Sequence, residues 1–386
     1  MRDKINIITL FSGYDSQCMA LDKLGIDYDL VAWCEIDKAA IKAHDAVYPQ
    51  FKDRNLGDIM KVDWTQWSER KGKVDCVTYS SPCQSYSRTG RKAGGTKGSE
   101  TASSLLWYVK PCIDAIKPRT LVMENVENLV KEFTTDVEQW SRELQELGYA
   151  SYMAVLNAAD FGIPQARRRL FLVSLLEEDA KKQGFCFPHP MGTKLGLNDF
   201  LSKGEVAEST YLNDAGVSAF LDCPSVIRTP GREGCLVKRI PTPTCHTDND
   251  QEYGLAPTLK AACSTSVSFR YLQSTGFYPI FGVFEIWDCG DGILRHYTIG
   301  KKFKNATSQS KSAIIEAVEN LCPGQYIRVR RATVVEVLRL MGVNMEHIRS
   351  MLKARCKFSD LYMLAGNSIV VDVLTCLFDY LFLTRQ

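Results

Sequence analysis

Three kinds of side chain in this sequence, taken in order, suit covalent attack on a pyrimidine ring. Cys83 stands in Ser80-Ser81-Pro82-Cys83-Gln84, directly after the apolar run 74–79. Cysteine attacks as its thiolate, and a strand-to-helix turn with cations nearby favours that form. Arg88, Arg91 and Lys92 supply the cations, and Gly94-Gly95 implies a mobile loop. Pro82 fixes φ just ahead of the thiol and removes one backbone donor. Glu124 closes a second apolar run, in Met123-Glu124-Asn125-Val126. A carboxyl group at a strand end, in a partly apolar cleft, can hold and donate a proton. Arg167 and Arg169 follow in Gln165-Ala166-Arg167-Arg168-Arg169, ahead of a third apolar run. Two such residues alternating along a strand share a face and can bind a carbonyl oxygen or a phosphate. Singly, each has a plainer reading: a buried structural cysteine, a capping glutamate, a solvated arginine run. Their order at successive strand ends carries the chemical one.

A second set points to a cofactor. Phe11-Ser12-Gly13-Tyr14-Asp15 follows the first apolar run, yet it lacks G-x-G-x-x-G and a phosphate-binding lysine. Glu35 follows the second strand, where it can bind ribose hydroxyls, and Asp58 lies beyond the next short run, where it can bind an exocyclic adenine amine. This set suits an adenosine cofactor with no phosphate chain.

The elements that must position these residues alternate. Apolar runs at 5–11, 30–34, 74–79, 120–124 and 170–175 read as strands. Cys18, Leu21 and Leu24 share a helical face closed by Gly25, and 38–47, 103–116 and 137–147 read as further helices. Such a βαβ series predicts an α/β fold: a mostly parallel sheet with helices on both faces. Ligands bind outside the carboxyl ends of its strands. From about 185 the texture changes to Pro- and Gly-punctuated segments, with alternating runs at 266–272 and 277–287. A helix over 329–341 ends at Gly342, and a Gly366-Asn367 turn leads into an apolar helix that packs back on the first domain. The expected division is 1–184, 185–325 and 326–386.

Composition narrows the class. Of 386 residues, 45% are hydrophobic and 24% charged, as in soluble globular proteins. A net charge of +2 gives no global preference for polyanions, so any nucleic-acid surface must be local. The 14 cysteines form no C-x-x-C pair and there are five histidines, so no metal site is expected. The cysteines suit a reducing compartment. No apolar run has the length of a membrane helix, and the N-terminus runs straight into a strand, without a signal peptide.

Taken together the chain resembles the DNA cytosine-5 methyltransferases. The motifs, in that family's order, are Leu10-Phe11-Ser12-Gly13, Glu35-Ile36-Asp37, Gly57-Asp58-Ile59, Pro82-Cys83-Gln84, Glu124-Asn125-Val126, Gln165-x-Arg167-x-Arg169 and Gly366-Asn367-Ser368. The resemblance covers about 5–178 and 326–380, with Gly254-Leu255-Ala256-Pro257-Thr258-Leu259 between. It implies a Rossmann-like class I methyltransferase domain using S-adenosylmethionine, and a smaller target recognition domain. Phe11, Ser12, Gly13, Glu35, Ile36, Asp58, Ile59, Pro82, Leu105, Asn367 and Ser368 match cofactor-contacting positions. By the same resemblance Cys83 attacks C6 of a flipped cytosine, Glu124 serves N3, Arg169 holds O2, and Arg167 supports Cys83 and nearby phosphate. Gln84, Ser85 and Thr89 would meet the target strand, and Arg228, Arg232, Arg239 and Arg270 are candidate groove readers.

The implied partner is double-stranded DNA, with a cognate restriction endonuclease, if any, acting separately. A monomer with no membrane association, in the cytoplasm of a bacterial cell, is implied too. The chain departs from the family pattern at Tyr14, Asp15 and Ser16, where glycines are usual, and at Ile36, Ser81, Ala102 and Ser103. Asp15 would thereby add a side chain near the methionine part of the cofactor. The competing readings are a tRNA cytosine-5 methyltransferase on the same scaffold and a catalytically silent DNA-binding relative.

Overall fold

The computed structural model describes residues 4–83, 85–86, 94–99, 101–191, 195, 199–202, 206–207, 210 and 332–384, with the backbone of strands at 256–257, 281–287, 294–300 and 326–331. The chain forms two compact units. One comprises Met1–Phe161, Arg168–Met191 and Met341–Gln386; the other comprises Gly162–Arg167 and Gly192–Leu340.

The first unit is built on β1 (Ile5–Leu10), β2 (Tyr28–Cys34), β3 (Cys76–Tyr79), β4 (Thr120–Val126), β5 (Tyr149–Asn157) and β7 (Arg168–Leu176), in the spatial order β2-β1-β3-β4-β7-β5. Strands β2, β1, β3 and β4 run parallel. Ile7, Ile8, Thr9 and Leu10 of β1 are wholly buried, as in a central parallel strand covered on both faces. Helices α1 (Ser16–Leu24), α2 (Lys38–Val47), α3 (Val109–Ile116), α4 (Asn128–Glu132), α5 (Thr134–Glu146) and α6 (Glu177–Gln183) follow the strands. Gly25 ends α1 in the left-handed conformation, its N–H on Asp22 O at 3.0 Å. Asp37 caps α2 by accepting from Ala39 N and Ala40 N at 2.8 and 2.9 Å. Helix α3 buries Val109, Cys112, Ile113 and Ile116, one stripe at helical spacing, beside Trp140 of α5.

Two expectations change here. The run at 170–175 is a strand, but β7 pairs antiparallel with β4 and with β5, inside the sheet. Strand β5 escaped notice because it is the sheet edge: its side chains are mostly half-buried, with Met153 half exposed, so it carries neither a continuous apolar run nor clean alternation.

In the second unit β6 (Gln165–Ala166) pairs with β8 (Ala256–Pro257) in parallel. Strands β9 (Phe281–Trp287), β10 (Leu294–Gly300) and β11 (Tyr326–Arg331) form an antiparallel sheet in the order β10-β9-β11. The helix expected from 329 begins later. Residues 329–331 belong to β11, and α7 spans Val334–Arg339. Its start was written as a Thr333-x-x-Glu336 capping box: Glu336 N donates to Thr333 Oγ1 at 3.2 Å and Thr333 N to Glu336 Oε2 at 2.7 Å. The alternating run at 266–272 lies outside the described residues.

Helices α8 (Met345–Lys353), α9 (Phe358–Asn367) and α10 (Val371–Asp379) complete the first unit. Gly366-Asn367 is the last turn of α9 rather than a free turn, and residues 368–370 separate it from α10. Among the described residues no single helix is long and apolar enough to cross a membrane.

Candidate active site

The register of the four parallel strands puts the candidates on one edge. Leu10 lies opposite both Cys34 and Tyr79, and Tyr79 lies opposite Met123. The next residues along that edge are therefore Glu35, Phe11, Ser80 and Glu124, in the spatial order of β2, β1, β3 and β4.

On the β3–β4 side, the loop that carries Cys83 is pinned by backbone contacts. Ser80 N reaches Leu10 O at 3.4 Å. Buried Asn125 donates from Nδ2 to Ser81 O at 3.2 Å and to Ser81 Oγ at 3.3 Å, while its Oδ1 accepts from Val126 N. Beyond the thiol, Tyr86 N donates to Cys83 O at 3.0 Å, Asn128 Nδ2 to Tyr86 O at 2.7 Å and Ser85 N to Ser103 Oγ at 3.1 Å. Cys83 itself is half-buried, as is Pro82. Glu124 is 5% exposed. Its Oε1 meets Arg169 Nε at 3.2 Å and its Oε2 accepts from Ser80 Oγ at 2.6 Å.

The antiparallel course of β7 is what delivers Arg169. Val126, last in β4, lies opposite Arg169, near the start of β7. A parallel strand would begin at the far edge of the sheet. Arg167 precedes β7, belongs to the second unit and is buried. The shared strand face expected of Arg167 and Arg169 therefore does not extend to Arg167. Arg168 turns to Glu127 at 3.1 Å, beside Lys131 at 2.9 Å. Burial pushes the Glu127 carboxyl up, but these two cations outweigh it and hold it below the usual range.

The β1–β2 side holds the cofactor candidates. Phe11, Gly13 and Asp15 all have positive φ, at 57°, 60° and 67°. At Gly13 a Cβ would meet nothing within 4 Å, so the turn borders open space. Glu35 Oε2 accepts from Gly13 N at 2.9 Å, and Oε1 from Ile36 N and Asp37 N at 2.8 and 2.9 Å. A carboxylate offers about four lone-pair positions, so these three bonds leave about one for a ligand hydroxyl. Asn55 clamps the Glu35 main chain, donating to its O at 3.1 Å and accepting from its N at 3.2 Å. Asp58 caps the turn Ile59–Lys61 through Met60 N at 3.1 Å. Ile36 is 66% exposed, Ile59 is buried and Leu105 is half-buried. Ser12 is tied inward, its N on Cys34 O and its Oγ on Thr9 O. Asn367 is exposed, and half-buried Ser368 is hydrogen-bonded to the hydroxyl of buried Tyr14.

Asp15 departs from expectation. Its side chain turns inward instead of toward the open face of the turn. It is wholly buried, caps α1 through Cys18 N at 3.2 Å, and accepts from Thr9 Oγ1 at 2.9 Å. His44 Nε2 is 3.7 Å away, in a ring stacked on Trp33. Burial pushes the Asp15 carboxyl up to about 6, against its hydrogen bonds from Thr9 and Cys18, and burial brings His44 down to about 3. Between an ordinary aspartate value and about 6, the folded state binds the Asp15 proton more tightly than the unfolded state. Stability therefore falls as pH rises through that window and is flat above it, a cost of about 3 kcal/mol at neutral pH. Asparagine tolerates the left-handed backbone and caps as well as aspartate. Asp15→Asn is therefore expected to raise the urea midpoint at pH 7.5 and to lose that advantage near pH 4. An unchanged or lower midpoint at pH 7.5 would contradict the buried-charge account.

Gln84, Thr89, Arg228, Arg232, Arg239 and Arg270 lie outside the described residues. Ser85 is buried, its N–H on Ser103. In the sequence Ser80 and Asn125 carry no local signal of their parts in holding Glu124 and the Cys83 loop. No local signal could have paired Tyr14 with Ser368, which meets it only through tertiary folding.

Comparison with known proteins gives this geometry a family. The chain is 31% identical over 266 residues to the type II methyltransferase M2.ScrFI of Lactococcus lactis subsp. cremoris, covering 55% of this chain and 72% of that protein. It is 24% identical over 434 residues to the orphan methyltransferase M.SPRI of Bacillus phage SPR, covering 97% of each. Among solved structures, the Dnmt2 methyltransferase of S. pombe superposes with a TM-score of 0.60 at 16% identity over 98% of each chain. A putative DNA modification methyltransferase encoded within a prophage of E. coli superposes with a TM-score of 0.57 at 15% identity, over 99% of this chain and 100% of that one. At those identities the likeness shows the fold. The family model of the C-5 cytosine-specific DNA methylases matches residues 5–382, and the chain belongs to that family.

Proposed function

We propose that this enzyme methylates C5 of one cytosine within a defined sequence of double-stranded DNA, with S-adenosylmethionine as methyl donor. The observation that carries the reading is Glu124, nearly buried and held between Arg169 and Ser80, at the foot of the loop that presents Cys83.

C5 and C6 are shielded in stacked duplex, so the cytosine must leave the helix first. The Cys83 thiolate forms a bond to C6, the C5=C6 pair moves to C4=C5, and the C4=N3 pair moves onto N3. Glu124 gives N3 a proton, which neutralises the charge arriving there. Arg169 stands beside Glu124 to hold O2, and Arg167 supports Cys83 and neighbouring phosphate. Loss of the C5 proton to water then restores C5=C6 and expels Cys83 as thiolate, while Glu124 recovers its proton from N3. Bound S-adenosylmethionine supplies the electrophilic methyl group that C5 takes between these events.

The β1–β2 edge fits that donor. Open space at Gly13, the exposed apolar Ile36 and one remaining acceptor position on Glu35 suit an uncharged adenosine moiety. Glu35 would take a ribose hydroxyl and Asp58 the adenine amine. Phe11, Ser12, Ile36, Ile59, Pro82, Leu105, Asn367 and Ser368 would frame the rest. Target recognition falls to the second unit. There Arg228, Arg232, Arg239 and Arg270 are the candidate readers, each bidentate contact to guanine contributing about 1–3 kcal/mol of discrimination. Gln84, Ser85 and Thr89 would contact the target strand. The enzyme works as a cytoplasmic monomer, and a cognate endonuclease, where one exists, acts as a separate protein.

The test is bisulfite sequencing of plasmid DNA from cells expressing the chain beside a Cys83→Ser control. Protection of one cytosine in a short recurring motif, absent in the control, is the expected result. An unprotected plasmid, with the protein folded and abundant, would overturn the reading and direct the same assay to tRNA.

A further inference from the structure

We propose that Ser80 is a positioning residue for the reaction: its hydroxyl orients the second oxygen of Glu124 and stays bonded to it whichever partner holds the proton. The inference rests on Glu124 as the acid and goes beyond it by naming what sets its orientation. A carboxyl group rotates about its last bond unless both oxygens are held. Arg169 Nε holds Oε1 at 3.2 Å, from β7, and Ser80 Oγ holds Oε2 at 2.6 Å, from the end of β3. That length falls in the short, charge-assisted range for a hydroxyl on a carboxylate.

The two partners are not equivalent. A guanidinium can only donate, so its ion pair favours the carboxylate and weakens when the carboxyl group carries a proton. A hydroxyl can donate to the carboxylate and, after rotating, accept from the protonated acid. Oε2 is therefore the oxygen on which a proton disturbs the arrangement least, and Ser80 is the group that accommodates it. Ser80 also ties the acid to the nucleophile. It is the first residue after β3 and stands three positions before Cys83, in the loop that Asn125 clamps through Ser81. Displacement of Ser80 with that loop would release Oε2 of Glu124 while leaving Oε1 with Arg169. No ligand contact is required of Ser80, which is half-buried.

The experiment is steady-state kinetics of the full chain on duplex DNA carrying its mapped site, with S-adenosylmethionine, for Ser80→Ala, Ser80→Thr, Glu124→Gln and the double variant Ser80→Ala/Glu124→Gln. Ser80→Ala is expected to lower kcat about 10–100-fold, the scale of one lost hydrogen bond to a charged group, with both KM values within about twofold. Ser80→Thr keeps the hydroxyl and is expected to retain most of kcat. The double variant is expected to be no slower than Glu124→Gln alone, because Ser80 acts through that carboxyl. Losses that multiply, a rise in KM at unchanged kcat, or equal loss in Ser80→Thr and Ser80→Ala would each overturn the proposal. If Ser80→Ala folds poorly, Ser80→Cys, of similar size and a weak donor, takes its place, and full activity there would overturn it equally. A slow Glu124→Gln with normal Ser80→Ala defeats the Ser80 proposal alone. A fully active Glu124→Gln defeats the reading of Glu124 as the acid.

Discussion

Cys83→Ser is expected to abolish turnover, by more than about 10³-fold, while leaving cofactor binding nearly intact. The substitution changes one atom, and the contacts that seat the loop at Ser81, Cys83 O, Ser85 and Tyr86 all run through backbone groups or neighbouring side chains. The loop should therefore keep its course. What is lost is the thiolate. A serine hydroxyl is scarcely ionised near neutrality, and Glu124, the nearby carboxyl on this edge, is already engaged by Arg169 and Ser80. Binding of S-adenosylmethionine should survive because Gly13, Glu35 and Asp58 gather at β1 and β2, on the other side of the same edge. Methyl transfer from a labelled donor, read beside calorimetric titration of the donor, separates the two properties. Residual full activity would reject Cys83 as the nucleophile, and loss of binding along with activity would show that the substitution had disturbed the fold.

Glu124→Gln should slow kcat by about 10²–10⁴, the usual scale of acid–base assistance. The amide fits the same pocket. Its oxygen can face Arg169 Nε, and its NH₂ can face Ser80 Oγ, which is able to accept. Stability and DNA affinity should therefore change little, and the deficit should fall on the chemical step. A loss below about tenfold would reduce Glu124 to a positioning role. Removing Arg169 is a harsher change. Arg169→Leu leaves a nearly buried carboxylate held by the Ser80 hydroxyl without its guanidinium, at a cost of about 1–3 kcal/mol in stability on top of any loss of rate.

The parts of this molecule that announce themselves locally were legible in the residues. Strands β3 and β4 and most of β1 are buried on both faces and read as apolar runs, and β2, at the other edge, still buries Leu30 and Ala32 to Cys34. The turns after β1, β2 and β3 carry Gly13, Glu35 and Cys83, Glu124 lies near the end of β4, and parallel connection alone requires their carboxyl ends to share an edge. Strand β5 was not legible, because an edge strand can be half-exposed on both faces and still be stable. The start of α7 was legible in Thr333 and Glu336 but lost beneath the apolar spacing at 334, 337, 338 and 341.

What tertiary structure alone decided is direction and partnership. Nothing in the run 168–176 says that β7 enters the sheet antiparallel, yet that course brings Arg169 to Glu124, while Arg167, two residues earlier, belongs to the other unit. Asp15 reads as a charge offered to a ligand; its positive φ turns it inward, beneath the turn, against Thr9 and His44. Composition and periodicity record which residues avoid water and how often they recur. They do not record which strand lies beside which, or which way a side chain turns at a bend, because those are settled by contacts between residues far apart in the chain. The chemical groups of this enzyme are thus written in its sequence, and their pairing is the work of the fold.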